Sequence, residues 1–207
     1  MKTYSIYLIR NGLMEGAEAG RYIGHTDVPL SEEGRRQLEA LRETKQYPAV
    51  EAVFSGPLLR CIETAQLLYP DRTPLLLDDL IEYKFGEFEG RTAEELREHP
   101  VFPAWLAGEP DAAPPFGESA AAFSKRIRRG FSLAAEGLLK TGIRRAAMVT
   151  HGGVIMAILS AFGLPELPMH EWRTAPGEGY ALRITPSVWM RGQKLEVVSA
   201  IPFEKDA

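Results

Sequence analysis

The sequence predicts an α/β fold: a three-layer α/β/α sandwich around a mostly parallel central sheet with an antiparallel edge strand. Three observations lead there. The runs Ile6-Tyr7-Leu8-Ile9 and Ala146-Ala147-Met148-Val149 are almost continuously apolar, as strands covered on both faces are. Segments of helical spacing alternate with strand signals, the pattern of a layered α/β domain. Both apolar runs end in a polar residue and a glycine turn, Arg10-Asn11-Gly12 and Thr150-His151-Gly152-Gly153. Ligands bind at such carboxyl ends of strands.

Strand signals fall at residues 4–9, 52–54, 74–77, 146–150, 179–184 and 194–200. The last two, separated by 185–193, are expected to form a hairpin on one edge. Ser31 is a plausible N-cap, with Glu32 and Glu33 in the positive first turn and Leu38 and Leu41 on one face. Pro57 suits a first helical turn, and Leu58, Ile62, Ala65 and Leu68 follow at helical spacing. A long helix at about 118–140 carries Phe123, Ile127, Phe131, Ala134 and Leu138 inward, which leaves Arg126, Arg128 and Arg129 mostly on its other sides. A further helix at 153–162 is stopped by Gly163 and Pro165. Residues 92–116 break the rhythm with short helical pieces and five prolines, so they read as a lid-like insertion over the carboxyl edge of the sheet. The expected organisation is one domain over 1–207.

Composition narrows the function classes. Hydrophobic content of 45% and charged content of 25% are ordinary for a soluble globular chain. A net charge of −4 supplies no basic footprint for nucleic acid, so any anionic ligand must be attracted by local arginines. No apolar run approaches a membrane span of about 20 residues. Cys61 is the only cysteine, and the N-terminus shows no leader pattern, so a cytoplasmic location is expected. No His, Cys or Asp cluster suggests a metal, and no glycine-rich nucleotide loop suggests a cofactor.

A phosphomonoester carries up to two negative charges and is best held by planar, bidentate guanidinium groups. Arg10 at a strand end and Arg60 early in a helix are suitable donors, although a single arginine is by default a solvated surface charge. His151 precedes two glycines that open a helix, where an anion can approach backbone N–H groups. Glu82 sits in Leu80-Ile81-Glu82-Tyr83-Lys84-Phe85-Gly86-Glu87-Phe88-Glu89-Gly90. Taken alone, it is one solvated loop glutamate among several.

In order along the chain, these segments resemble the histidine phosphatase superfamily, also called the phosphoglycerate mutase-like family. Ser55-Gly56-Pro57-Leu58-Leu59-Arg60, followed by Thr64-Ala65, resembles its second signature, with Gly56 where a second serine is usual. The Glu82 segment is similar to the family's acid-bearing loop. Residues 20–30 match its substrate-side loop. The variant Arg21-Tyr22-Ile23-Gly24, with Pro115-Phe116-Gly117-Glu118-Ser119, resembles bacterial members of the α-ribazole-5′-phosphate phosphatase type. The resemblance implies that Arg10, Arg60 and His151 bind the phosphoryl group, with His151 also stabilising transition-state charge. It implies that Glu82 protonates the leaving alcohol and then activates water, and that Ile23 and Gly24 contact substrate. The implied ligand is a small phosphorylated molecule, with α-ribazole-5′-phosphate the leading candidate. Glu87 and Glu89 are expected to be structural. The short, proline-rich insertion gives no clear sign of a dedicated phosphoglycerate site, so mutase activity is the lesser reading.

The first signature departs from the family. Where arginine-histidine-glycine is usual, this chain has Arg10-Asn11-Gly12, with Met14 and Ala17 at further positions the family makes polar. An imidazole nitrogen has an in-plane lone pair and forms a phosphoramidate, whereas an amide lone pair is delocalised into its carbonyl. Asn11 can hydrogen-bond a phosphate but not carry it, so turnover is expected to be impaired or lost. His25, expected in a solvent-facing loop, and Cys61, expected to pack as a small apolar side chain, are poor stand-ins. Water attack assisted by Glu82 is the more plausible residual route. Three departures within seven positions point to natural divergence. The alternatives are a pseudoenzyme that binds a phosphorylated ligand or a protein, and an engineered His-to-Asn change in an already divergent phosphatase.

Overall fold

The computed structural model describes residues 3–16 and 20–205. In chain order the elements are β1 (Tyr4–Arg10), α1 (Glu32–Thr44), β2 (Lys45–Gln46), β3 (Ala52–Ser55), α2 (Leu59–Leu68), β4 (Leu75–Leu76), α3 (Ala93–Leu96) and α4 (Phe102–Leu106). There follow α5 (Ala120–Thr141), β5 (Arg145–Thr150), α6 (Gly152–Phe162), β6 (Gly163–Leu164), β7 (Gly179–Ile184), α7 (Pro186–Gly192), β8 (Leu195–Ile201) and β9 (Phe203–Glu204).

Seven strands form one sheet in the order β4-β3-β5-β1-β7-β8-β6. Alternation along β1 sorts its side chains between two cores. Tyr4, Ile6 and Leu8 face α5 and α6, where Phe131, Ile155 and Ile158 are fully buried. Ile9 faces α1 and α2, against Leu38, Cys61 and Ala65. The three-layer, mostly parallel architecture is therefore as expected, and β1 lies at its centre.

The antiparallel member sits elsewhere than expected. β7 runs against both β1 and β8, inside the sheet, while β8 and the short edge strand β6 are parallel to each other. β7 and β8 do pair antiparallel as expected, but β8 is not the edge and their connection carries α7. Its Trp189 is buried against Phe131 and Phe162, and that apolar anchor makes a helix of what looked like a loop.

Helix ends follow local chemistry. Ser31 accepts from Gly34 N at 3.0 Å as the N-cap of α1. Ser119 caps α5 in the same way, accepting from Ala122 N. Pro57 falls outside α2, because Leu58 is extended at φ −81°, ψ 146° and the helix begins at Leu59. Among the described residues no helix is long and apolar enough to cross a membrane.

Candidate functional site

The carboxyl ends of β1 and β5 deliver Arg10, Asn11 and His151 side by side. Asn11 N donates to Thr150 O at 2.8 Å, extending the β1–β5 pairing into the loops beyond both strands. Arg60 enters from the first turn of α2 and Glu82 from the loop after β4. All five line one cavity of about 350 Å³, together with Ile23, Met14 and the α6 N-terminus at Gly152 and Gly153.

The side chains are held by specific partners. Arg60 is buried; its Nη2 donates to Gly24 O at 2.6 Å and its Nη1 to Thr26 O at 2.9 Å, which ties the substrate-side loop to α2. Arg10 Nη1 donates to Thr174 O at 2.6 Å. Thr64 accepts from Gly12 N at 2.9 Å and donates to Arg60 O at 2.6 Å, locking the glycine turn against α2. Asn11 Nδ2 donates to Gly12 O at 2.9 Å, which turns Oδ1 toward His151 Nδ1 at 3.2 Å. That orientation calls for a proton on His151 Nδ1. Arg60 Nε also donates toward that nitrogen at 3.3 Å, a contact that needs its lone pair, so the two hydrogen bonds call for opposite tautomers.

Burial, then the Arg60 charge, push His151 well below the ordinary histidine range, so its ring is neutral at neutral pH. Burial also raises Glu82, an effect only partly opposed by N–H donors from Tyr83 (2.9 Å) and Gly153 (3.1 Å) and by Arg60 and Arg10. Its carboxyl therefore retains a proton to higher pH than an exposed glutamate does. A Cβ at Gly153 would come within 2.5 Å of Glu82 Oε1, so glycine is what lets the carboxylate reach the helix end. Among the described residues no cluster of metal-ligating side chains occurs.

Several expectations need revision. Gly24 does not line the cavity; its N–H donates to Glu89 Oε1 at 2.7 Å, its carbonyl accepts from Arg60, and a Cβ there would lie 1.9 Å from Tyr83 O. Its role is the close crossing of two loops, and Glu89 is structural as expected. His25 is half-buried rather than free in solvent, and its Nε2 donates to Glu82 O at 3.0 Å. Cys61, by contrast, packs as an apolar side chain as expected, 3.4 to 3.6 Å from the ring nitrogens of His151, and burial drives its thiol pKa far up. Met14 makes part of the cavity wall apolar; Ala17 lies outside the described residues.

Sequence reasoning missed two features. Arg126, assigned to the outer side of α5, turns inward and donates to the carbonyls of Asp79 (2.7 Å), Ile81 (2.8 Å) and Glu82 (3.2 Å), while pairing with Glu118. It braces the loop that carries Glu82. The second is a chamber of about 590 Å³, lined by Tyr22, Tyr83, Phe85, Trp105, Phe123 and Met156 among others. It shares Arg10, Tyr22, Glu82, Phe85, Gly153 and Met156 with the first cavity, so the two are continuous beside Glu82. The density of aromatic residues between 83 and 105 was the available signal.

A mostly parallel α/β sandwich that gathers two arginines, a histidine and a helix N-terminus beside a buried carboxyl defines a protein built to hold an anion. Residues 6–191 match the histidine phosphatase superfamily (branch 1), and the chain belongs to that family. It is similar to the adenosylcobalamin/alpha-ribazole phosphatase of Salmonella typhimurium, 27% identical over 177 residues that cover 83% of this chain and 86% of that one. Among solved structures, TTHB049 of Thermus thermophilus superposes with a TM-score of 0.70 at 31% identity, covering 95% and 98% of the two chains. The alpha-ribazole phosphatase of Shigella flexneri shares the fold, with a TM-score of 0.75 at 23% identity over 98% and 100%.

Proposed function

We propose that this protein binds a phosphomonoester whose alcohol half is largely apolar and aromatic, and that its turnover is slowed or lost because Asn11 stands where the family's nucleophilic histidine would be. Arg10, Arg60 and His151 hold the phosphoryl oxygens near the α6 N-terminus. Glu82, whose burial raises its pKa, faces the bridging oxygen and donates its proton to the departing alcohol. No phosphoenzyme forms on Asn11, so residual hydrolysis proceeds by direct attack of water.

The observation that carries this reading is the aromatic chamber that opens from the phosphate cavity at Glu82. A leaving group extending past Glu82 enters a space walled by Tyr22, Phe85, Trp105 and Phe123. The flat base of α-ribazole-5′-phosphate suits it, in keeping with the name of the Salmonella relative. Phosphoserine and phosphoglycerate, small and acidic, do not. Residues 92–116 act as the lid of a single unit, and the lone, buried Cys61 suits a cytoplasmic setting.

A second reading, a binder without turnover, is favoured by Asn11 itself. Both ends of its amide are engaged, by Gly12 O and His151, in a purely hydrogen-bonding role. Thermal melts with vanadate, phosphoserine and α-ribazole-5′-phosphate test the ligand class. The proposal expects the first and third to raise Tm and phosphoserine to do little. No shift with any of them contradicts both readings. Glu82→Gln separates the two, since it abolishes residual hydrolysis only where there is some.

A further inference from the structure

The aromatic chamber has a second end, which the chemistry at Glu82 leaves unused. Along α6 its lining runs Gly153, Met156, Ala157, Ser160 and Ala161, one face of the helix from its first turn to its last. The first and last of these lie about 12 Å apart along the axis, at about 1.5 Å per residue. Along α5 it runs Ala120, Phe123, Ser124 and Arg128, again at the spacing of one face. Glu82 and Arg10 mark the near end. Arg128 marks the far end, its guanidinium carbon 5.7 Å from the ring centroid of Phe162, the last residue of α6.

We infer that this far end is a subsite for a second anionic group, held by Arg128 with Ser124 and Ser160. The ligand is then an aromatic phosphomonoester that carries a carboxylate or similar anion about 12 Å from phosphorus, the reach of the α6 face. The inference rests on the phosphomonoester reading of the cavity and narrows it. Three observations lead there. First, Arg128 makes no ion pair among the described residues, and the other charged side chains of the chamber, Arg10 and Glu82, sit at the opposite end. A wholly apolar alcohol reaching this far would strip water from an unpaired guanidinium and return nothing for it.

Second, the Arg128 guanidinium is already placed over the Phe162 ring, so it loses little freedom on meeting a carboxylate, whose geometry its planar fork matches. Third, Ser124 and Ser160 line the same end without bonding back to their own helices, as Thr44 and Thr141 do to Ala40 and Gly137. Their hydroxyls are free to donate to the same anion. Between the two ends Phe123, Met156 and Ala157 present an apolar stretch that suits flat rings.

Calorimetric titration of the native chain with biphenyl-4-yl phosphate and with its 4′-carboxylate tests this, because the biphenyl spacer sets the second anion near the required distance. Vanadate serves as the probe of the phosphate cavity alone. At low salt the carboxylated ester should bind roughly three- to tenfold more tightly than the parent, an advantage that shrinks as salt is raised. Both esters use the same phosphate cavity, so their affinity ratio cancels any change there. That ratio should fall to about one in Arg128→Gln and below one in Arg128→Glu. Equal affinity of the two esters for a native chain that binds vanadate overturns the subsite and leaves the phosphate cavity standing. A preference that survives both substitutions also overturns it. If vanadate and both esters fail to bind, the phosphomonoester reading falls and takes the subsite with it.

Discussion

Arg126 Nη1 lies 2.8 Å from the carbonyl oxygen of Ile81, the residue before Glu82. The same guanidinium reaches Asp79 O and Glu82 O and is anchored by Glu118, so one side chain of α5 fixes the path of the whole acid-bearing loop. Arg126→Ala leaves those carbonyls without their charged donor. Losing such bonds costs about 1.5–3 kcal/mol. For a chain of this size that lowers Tm by roughly 3–12 °C. With Asn11→His as the active background, kcat should fall while vanadate binding is kept, and Arg126→Lys should recover only part. Equal kcat in the alanine variant would show that the loop holds itself.

The neutral state of His151 makes stability depend on pH in a definite direction. Its folded pKa lies below the unfolded value of about 6.5. Its contribution is therefore complete above about pH 6.5 and is lost as pH falls from there through the depressed folded value. Tm should drop more steeply between neutral and mildly acid pH in the native chain than in His151→Gln. Bound phosphate favours the cationic ring and should flatten the slope. Parallel melting curves for the two proteins would contradict the assignment.

Glu82 gives the opposite dependence, in rate. A general acid works while protonated, so leaving-group protonation is present below its raised pKa and lost as pH climbs through it. In the Asn11→His background, Glu82→Gln should lower hydrolysis by roughly 10²–10⁴-fold and remove the basic limb of the profile. The effect should shrink for esters of acidic phenols, whose departing oxygen needs no proton. A basic limb that persists in the glutamine variant would assign it to another group.

On the proposed function, the aromatic chamber sets specificity rather than chemistry. Trp105 donates to Tyr83 Oη at 3.1 Å and packs against Tyr22 and Phe85, so it shapes the wall without touching the phosphate residues. Trp105→Ala should weaken binding of aromatic phosphomonoesters by about tenfold or more, in line with losing large apolar contact area. Inorganic phosphate and vanadate should bind as before. Equal losses for all ligands would mean that the substitution had disturbed the phosphate cavity itself.

What could be read from the chain was what local pattern encodes. The β1 and β5 cores, the Ser31 cap and the glycine turns that present Arg10, Asn11 and His151 all rest on neighbours in sequence. The rest depends on long-range partners. Helical spacing put Arg126 on an outer face because it counts apolar positions, and the carbonyls that recruit it lie 44 to 47 residues away. Periodicity had no means of seeing that β7 would lie between β1 and β8, or that Trp189 would draw 186–192 into a helix against Phe131 and Phe162. Gly24 was legible as a substrate contact in the family loop, but the reason for the glycine, that a Cβ there would lie 1.9 Å from Tyr83 O, belongs to the tertiary fold.

The central claim is that the cavity is a competent phosphomonoester site in which Asn11 alone stands between binding and turnover. Phosphate release from α-ribazole-5′-phosphate and from a simple aryl phosphate, compared between the native chain and Asn11→His, tests it most directly. The account predicts a silent or very slow native protein and an active histidine variant. Equal activity in both would place the nucleophile elsewhere, and silence in both would show that the surrounding positions, Met14 among them, no longer support the reaction.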